Sequence, residues 1–125
     1  MELTTYFWSV LQQDRAAVVI CNLQHEIIYM NPAAVQRYAK SGGAQLGGRS
    51  LLDCHPPAAN QRIAEVVDWF AASPQHNQVY TFRNEQENRD VYMVALRDEA
   101  GCLIGYYEKH EYRDLEQAAF YDMED

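Results

Sequence analysis

A cysteine and a histidine stand side by side in SLLDCHPPAANQR, residues 50–62. A thiolate and an imidazole at adjacent positions suit three kinds of chemistry: a soft metal-ligand pair, a haem held by one axial imidazole, or a thiol whose anion is stabilised by a neighbouring imidazolium. The residues that follow bear on all three. Pro56 and Pro57 fix an extended approach and pre-set the φ of a helix start, so His55 falls in the loop before a helix rather than within it. In that setting Cys54 and His55 also serve as a plain corner packed at the edge of a pocket, with Asp53 or Asn60 capping free helix N–H groups.

The rest of the chain supplies no partners for a larger centre. Cys21, Cys54 and Cys102 are three in number, widely spaced and without a CxxC pair, so neither a disulfide framework nor a zinc cage is indicated. His25, His76 and His110 fall in expected turns or at strand ends, which argues against a multi-histidine metal site. No serine has a G-x-S-x-G setting and no GxGxxG or Walker loop occurs, so an enzyme is not expected.

Tyrosine is plentiful, at nine residues, and the stripe Tyr80, Phe82, Tyr92, Tyr106 and Tyr107 reads as core or as the wall of a pocket. A buried phenol needs a hydrogen-bond partner, which a ligand or trapped water provides, and this favours a cavity.

The elements that must position these groups follow from period. Leu3, Tyr6, Phe7, Val10 and Leu11 form the stripe of an amphipathic helix ending near Asp14-Arg15, with Trp8 just off it. Ala17 to Cys21 and Ile27 to Met30 are short apolar runs separated by polar residues, the pattern of a β-hairpin. Asn31 is the N-cap and Pro32 the first residue of a short helix to Tyr38, ended by Ser41-Gly42-Gly43. Leu46 to Leu52 is interrupted by glycine and has no clear period. Ile63, Val66, Val67 and Phe70 give the third helix one buried face, stopped at Ser73-Pro74.

From Val79 the period becomes two. Tyr80 and Phe82 share one face of the third strand. Tyr92, Val94 and Leu96 oppose Val91, Met93 and Ala95 in the fourth, and Ile104 and Tyr106 oppose Leu103 and Tyr107 in the fifth. Asp98 to Gly101 is the tight turn between the last two strands. From Tyr112 a weakly amphipathic helix is expected.

The result is one α+β domain: a five-stranded antiparallel sheet with helices on one face and an N-terminal flanking helix. Residues 1–14 are the flank, 15–112 the domain, and 113–125 an acidic tail.

At this level the chain resembles a PAS domain from about Ala17 to Glu111. The resemblance lies in IIYMNPAAVQRY at 27–38, LGGRSLLD at 46–53 and VALRDEAGCLIGYYE at 94–108, in that order. More narrowly, DCHPP before a helix and the Arg-Asp pair of the closing hairpin resemble the PAS domain that accompanies hemerythrin-like domains in bacterial proteins. The 125 residues hold no hemerythrin-like, kinase, cyclase or DNA-binding segment. The resemblance implies a non-enzymatic sensory module whose small ligand, of unknown identity, sits between sheet and helices, with output through flanking helices or a separate partner protein. The expected ligand residues are Cys54, His55, Ile63, Val67, Tyr80, Tyr92, Val94 and Tyr106. Haem on His55 is the alternative cofactor.

A ligand-independent homodimer through Leu3, Tyr6, Phe7, Val10 and Leu11 is a second expectation, because that stripe needs cover and both faces of the fourth strand are apolar. Ten basic residues against eighteen acidic ones, for a net charge of −8, argue against nucleic acid. The acidic N-terminus and the brevity of the longest apolar run, AAVVIC, indicate neither a signal peptide nor a membrane span, so a cytoplasmic protein is expected.

Overall fold

Where sequence period meets the three-dimensional chain, most elements form as their residues dictate. The computed structural model describes residues 2–54 and 56–124, with the backbone alone for Asp53 and Cys54. Helix α1 (Thr4–Gln12) precedes the hairpin of β1 (Val19–Asn22) and β2 (Ile27–Met30). Helix α2 (Pro32–Arg37) leads into three short 3-10 turns at Ala39–Ser41, Gly43–Leu46 and Leu51–Cys54, which give the glycine-interrupted stretch its structure. Helix α3 (Pro57–Ala72) is followed by β3 (Gln78–Asn84), β4 (Arg89–Arg97) and β5 (Leu103–Tyr112).

The five strands form one antiparallel sheet in the order β2-β1-β5-β4-β3. The first hairpin and the last three strands thus meet at the β1–β5 pair in the centre. There Gly105 lies opposite Asn22, and a Cβ at this position would run into the carbonyl oxygen of Cys21. The glycine lets the two backbones close. Gly101, at φ 87°, supplies the left-handed residue of the β4–β5 turn, where the Asp98 carboxylate accepts from Ala100 and Cys102 N–H.

Asn31 caps α2 and does more. Its side-chain oxygen accepts from Ala34 N and from Val18 N, both at 2.9 Å. Its amide NH₂ donates to the carbonyls of Leu11 and Ala16 at 3.0 and 2.9 Å. At 0 % exposure, this one side chain ties the end of α1, the start of β1 and the start of α2 together.

The core lies between one sheet face and the α2–α3 layer and includes Val19, Cys21, Ile27, Ala34, Leu46, Ile63, Phe70, Met93 and Tyr106. Arg97 fastens α3 to this face from beneath, donating through Nη2 to the carbonyls of Phe70, Ser73 and His76.

The α1 stripe is left uncovered: none of its residues is buried, and Leu3, Tyr6, Phe7, Trp8 and Val10 are exposed. Three expectations are corrected. The stretch after Tyr112 is not helical through residue 124; Leu115, Phe120, Tyr121 and Met123 are exposed, and so short a segment with no surface to pack on does not hold a helix. Among the described residues Asn60 makes no cap bond to α3; its amide donates back to the carbonyl of Leu52, the N-cap position is Pro56, without a side-chain acceptor, and of Asp53 only the backbone is described. The last correction concerns side-chain facing in β3 and β5, where single-residue bulges shift the alternation.

Candidate functional site

The bulges decide which side chains reach the interior. In β3, Tyr80 pairs with Tyr92 but Phe82 pairs with Val91, so Thr81 is the extra residue and Phe82 crosses to the inner side. In β5, Leu96 pairs with Gly105 and Arg97 with Leu103, so Ile104 is extra and Leu103 joins Tyr106 on the inner side. Inner residues therefore run Arg89, Val91, Met93 and Ala95 along β4, and Tyr106, Glu108 and His110 along β5.

Between this face and the helical layer lies a cavity of about 210 Å³. Val19, Cys21, Met93, Tyr106 and Glu108 line it from the sheet. Ile27, Met30, Tyr38, Ser41, Leu46, Leu51 and Ile63 complete the wall. The wall is mainly apolar, with a few polar groups converging on it, which is the usual make-up of a small-molecule pocket.

Its polar end is built by long-range contacts. The Tyr106 hydroxyl lies 2.8 Å from Nδ1 of His25, whose backbone takes the left-handed conformation (φ 64°) in the β1–β2 turn. Burial raises the Tyr106 phenol well above its ordinary pKa, with the neighbouring Cys21 thiol adding to the rise. Burial likewise pushes the Cys21 thiol up to about 11, so it is an un-ionised, inert group at neutral pH. The Tyr38 phenol is also raised, chiefly by burial and secondly by Glu108.

A wider cleft of about 520 Å³ adjoins this cavity between α3 and strands β3 to β5. Tyr38, Ile63, Met93 and Glu108 border both spaces. Arg37, Arg62, Arg89 and Glu108 are the charged groups on the cleft wall, with His110 beside them, and Val66, Phe82 and Val91 are apolar.

Of the expected ligand residues, the structure brings Ile63 and Tyr106 together at the smaller cavity. Val67 packs against the core beside it, off the cavity wall. Tyr80, Tyr92 and Val94 are placed on the opposite, outer face, because β4 alternates strictly and Tyr80 precedes the β3 bulge. Tyr80 there donates to Asp90 at 2.7 Å, and Tyr92 accepts from Arg113 at 2.8 Å. His55 lies outside the described residues, and of Cys54 only the backbone is described.

Residues missed in the sequence reading are Val19, Cys21, Ile27, Met30, Tyr38, Ser41, Leu46, Leu51, Met93 and Glu108. For Glu108 a signal existed, since stepping by two from Tyr106 along one strand reaches Glu108 and then His110. Among the described residues no group of three or more His, Cys, Asp or Glu is placed to hold a metal ion, and no helix is long and apolar enough to cross a membrane.

Comparison with known proteins agrees with this architecture. A sequence model described as the PAS fold matches residues 11–109. No curated protein sequence matches the chain. Among solved structures, a PAS domain from Colwellia psychrerythraea superposes with a TM-score of 0.65 at 14% identity, covering 90% of this chain and 98% of that one. A C-terminal domain from Streptococcus mutans also gives 0.65, at 22% identity, over 83% and 80% of the two chains. A Vibrio cholerae receptor described as a dual PAS-heme oxygen sensor gives 0.54 at 21% identity, over 75% and 90%.

Proposed function

The chain belongs to the PAS fold family, whose members are in general sensory and signalling modules rather than catalysts, and from this premise we propose that it senses a small, largely apolar molecule held in the 210 Å³ cavity. The observation that carries the reading is the cavity itself, closed by apolar side chains and edged by Tyr106, Tyr38 and Glu108. An apolar cavity of about 150 Å³ is enough for a benzene-sized guest, so this one suits a molecule slightly larger than a single ring. The haem alternative draws on the receptor described as a heme sensor, and it rests on His55. No described histidine lines the cavity, which favours the smaller ligand. Membership of the hemerythrin-associated subgroup belongs to the same proposal and rests on the DCHPP corner.

Native mass spectrometry of freshly purified protein tests the main reading. A bound small molecule is expected in the wild type and lost in Ser41→Phe, since Ser41 is an exposed residue on the cavity wall where an aromatic ring plugs the space without disturbing the core. A wild type that carries no ligand, and whose melting temperature no member of a metabolite panel raises, sinks it. A Soret band that disappears in His55→Ala would move the assignment to haem.

A second reading concerns α1. We infer that its exposed stripe docks on the same helix of a second copy. Residues 3–13 contain no charged side chain, so two copies meet there without the repulsion expected elsewhere between chains of net charge −8. Gln12, at the end of the helix, accepts from the Tyr29 hydroxyl on the outer side of the sheet, which holds the helix beside that face. Light scattering on the intact chain and on a form beginning at Asp14 checks it: a dimer that becomes monomeric on truncation is expected, and a dimer that survives truncation overturns the assignment.

A further inference from the structure

The wider cleft has a charge arrangement that the small apolar cavity does not explain. Arg89 opens β4 and points inward, at 4 % exposure. Its Nη2 donates to Glu87 at 3.0 Å and its Nη1 meets Nδ1 of His110 at 2.7 Å. A guanidinium only donates, so Nδ1 of His110 accepts and the ring hydrogen sits on Nε2, which faces Glu108 at 3.2 Å. The third guanidinium nitrogen of Arg89, Nε, is buried and, like Nε2 of His110, has no hydrogen-bond partner among the described residues.

Glu87 cannot supply more. Its two oxygens already take Arg37 Nη1 at 3.1 Å and Nη2 at 2.9 Å, Arg89, and the Asn84 amide at 2.8 Å. One carboxylate is therefore divided between two guanidinium groups. That sharing holds its pKa down to about 2, through Arg37 first and Arg89 second. The third arginine of the wall, Arg62, is largely exposed on α3 and pairs with solvent-exposed Glu65 at 3.4 Å. Beside the arginines, Val66, Phe82, Val91 and Met93 offer an apolar bed, with Val91 and Met93 following Arg89 along β4 and Val66 one turn beyond Arg62 on α3; Phe82 remains 56 % exposed for so large a ring.

We propose that this cleft is a binding site for an organic carboxylate: the acid group enters among Arg37, Arg62 and Arg89, and the apolar body lies on Val66, Phe82, Val91 and Met93. The planar fork of a guanidinium matches the two oxygens of a carboxylate, and a charged acceptor is what a buried, unanswered Arg N–H lacks. Glu108 and Met93 border both spaces, but Arg37, Arg62 and Arg89 line the cleft and not the smaller cavity, so the groups that would recognise the acid belong to the cleft and the two proposals are tested separately.

Titration calorimetry with phenylacetate as the probe tests this. Phenylacetate is expected to bind at least about tenfold more tightly than its neutral isostere phenylacetamide, and to weaken as salt is raised. Arg62→Gln, at a side chain open to solvent, should lower the affinity several-fold with an unchanged melting temperature, and Arg89→Met should lower it further. Ser41→Phe, which fills the other cavity, should leave it unchanged. Equal binding of the amide shows that the cleft reads only the apolar body, and equal competition by inorganic phosphate shows a general anion site. Loss of phenylacetate binding in Ser41→Phe places the probe in the smaller cavity. Any of these three results overturns the assignment, whatever the outcome for the apolar ligand.

Discussion

The two faces of strand β4 solve different problems with alternate residues of one sequence. Inward, Val91 and Met93 are buried and the space beside them is incompletely filled. Outward, Asp90, Tyr92, Val94 and Leu96 are half-buried under a lattice of side-chain bonds. Asp90 is the centre of that lattice, accepting from Tyr80 at 2.7 Å, Arg113 at 2.8 Å and Arg83 at 3.2 Å. The outer face is covered by its own polar groups, at contacts that water can replace. The inner face has no such reserve, since a lost contact there leaves a void. Stability should accordingly be concentrated on the inner side, with tolerance on the outer.

The sharpest way to break that contrast is Phe70→Ala. Phe70 is fully buried between α3 and the inner face, and its truncation is expected to cost about 4 kcal/mol in urea unfolding. A cost below about 1 kcal/mol would mean that the inner layer collapses freely and that the contrast is false.

Gly105→Ala comes next and sharpens the comparison, because this residue belongs to the outer side yet should behave as core. A methyl there meets the Cys21 carbonyl, and forcing β1 from β5 should cost about 2 to 3 kcal/mol. The same experiment with Val94→Ala should cost under about 1 kcal/mol.

Acid titration gives a smaller effect. Glu87 and Asp90 are each held at about 2, below their ordinary values of 4.5 and 3.8, by Arg37 and Arg113 respectively before their other partners. The unfolded chain then takes up protons before the folded one does. Their contribution is present above about pH 4.5 and is lost as pH falls towards 2. Urea midpoints measured across this range should decline, and 1 M salt should flatten the part due to exposed pairs. A flat acid profile would show that the ion pairs do not contribute.

The smallest effect expected is that of Asp90→Asn alone, which keeps an acceptor for Tyr80 and Arg113. It should move the urea midpoint least of the series.

How much of this was legible depends on whether a feature is carried by period or by register. The helical stripes of α1 and α3, the Asn31 cap, the Gly101 turn and the five successive strands all follow from local pattern. Three bulges are what the pattern concealed. Ile28, Thr81 and Ile104 are extra residues facing solvent, and nothing in their types marks them as such. Because side-chain facing has a period of two, one extra residue reverses everything beyond it. This is why Tyr80 and Phe82 do not share a face, and why Leu103 falls on the side of Tyr106. Tyr80 and Tyr92 are misplaced for another reason: aromatic character suggests a lining, whereas these rings find partners among outer-face charges, and Val94 shares the face of Tyr92 by strict alternation. The cluster of buried Arg89 and His110 with half-buried Glu108 was hidden because its members look like surface residues until β4 and β5 are aligned.

Asn31 has a consequence for the timing of fluctuations. A single side-chain oxygen accepts the amide hydrogens of Val18 and Ala34, on separate elements, while the same group's nitrogen holds the last turn of α1. Neither amide can be released to solvent by a motion of its own element without disturbing the side chain that serves the other. In hydrogen exchange the two should open as one event, at one rate. Met30, the preceding residue, forms part of the cavity wall, so a guest that presses on it would shift that common rate. The fold thus carries a clock at the joint between its flanking helix and its interior, readable at two backbone positions.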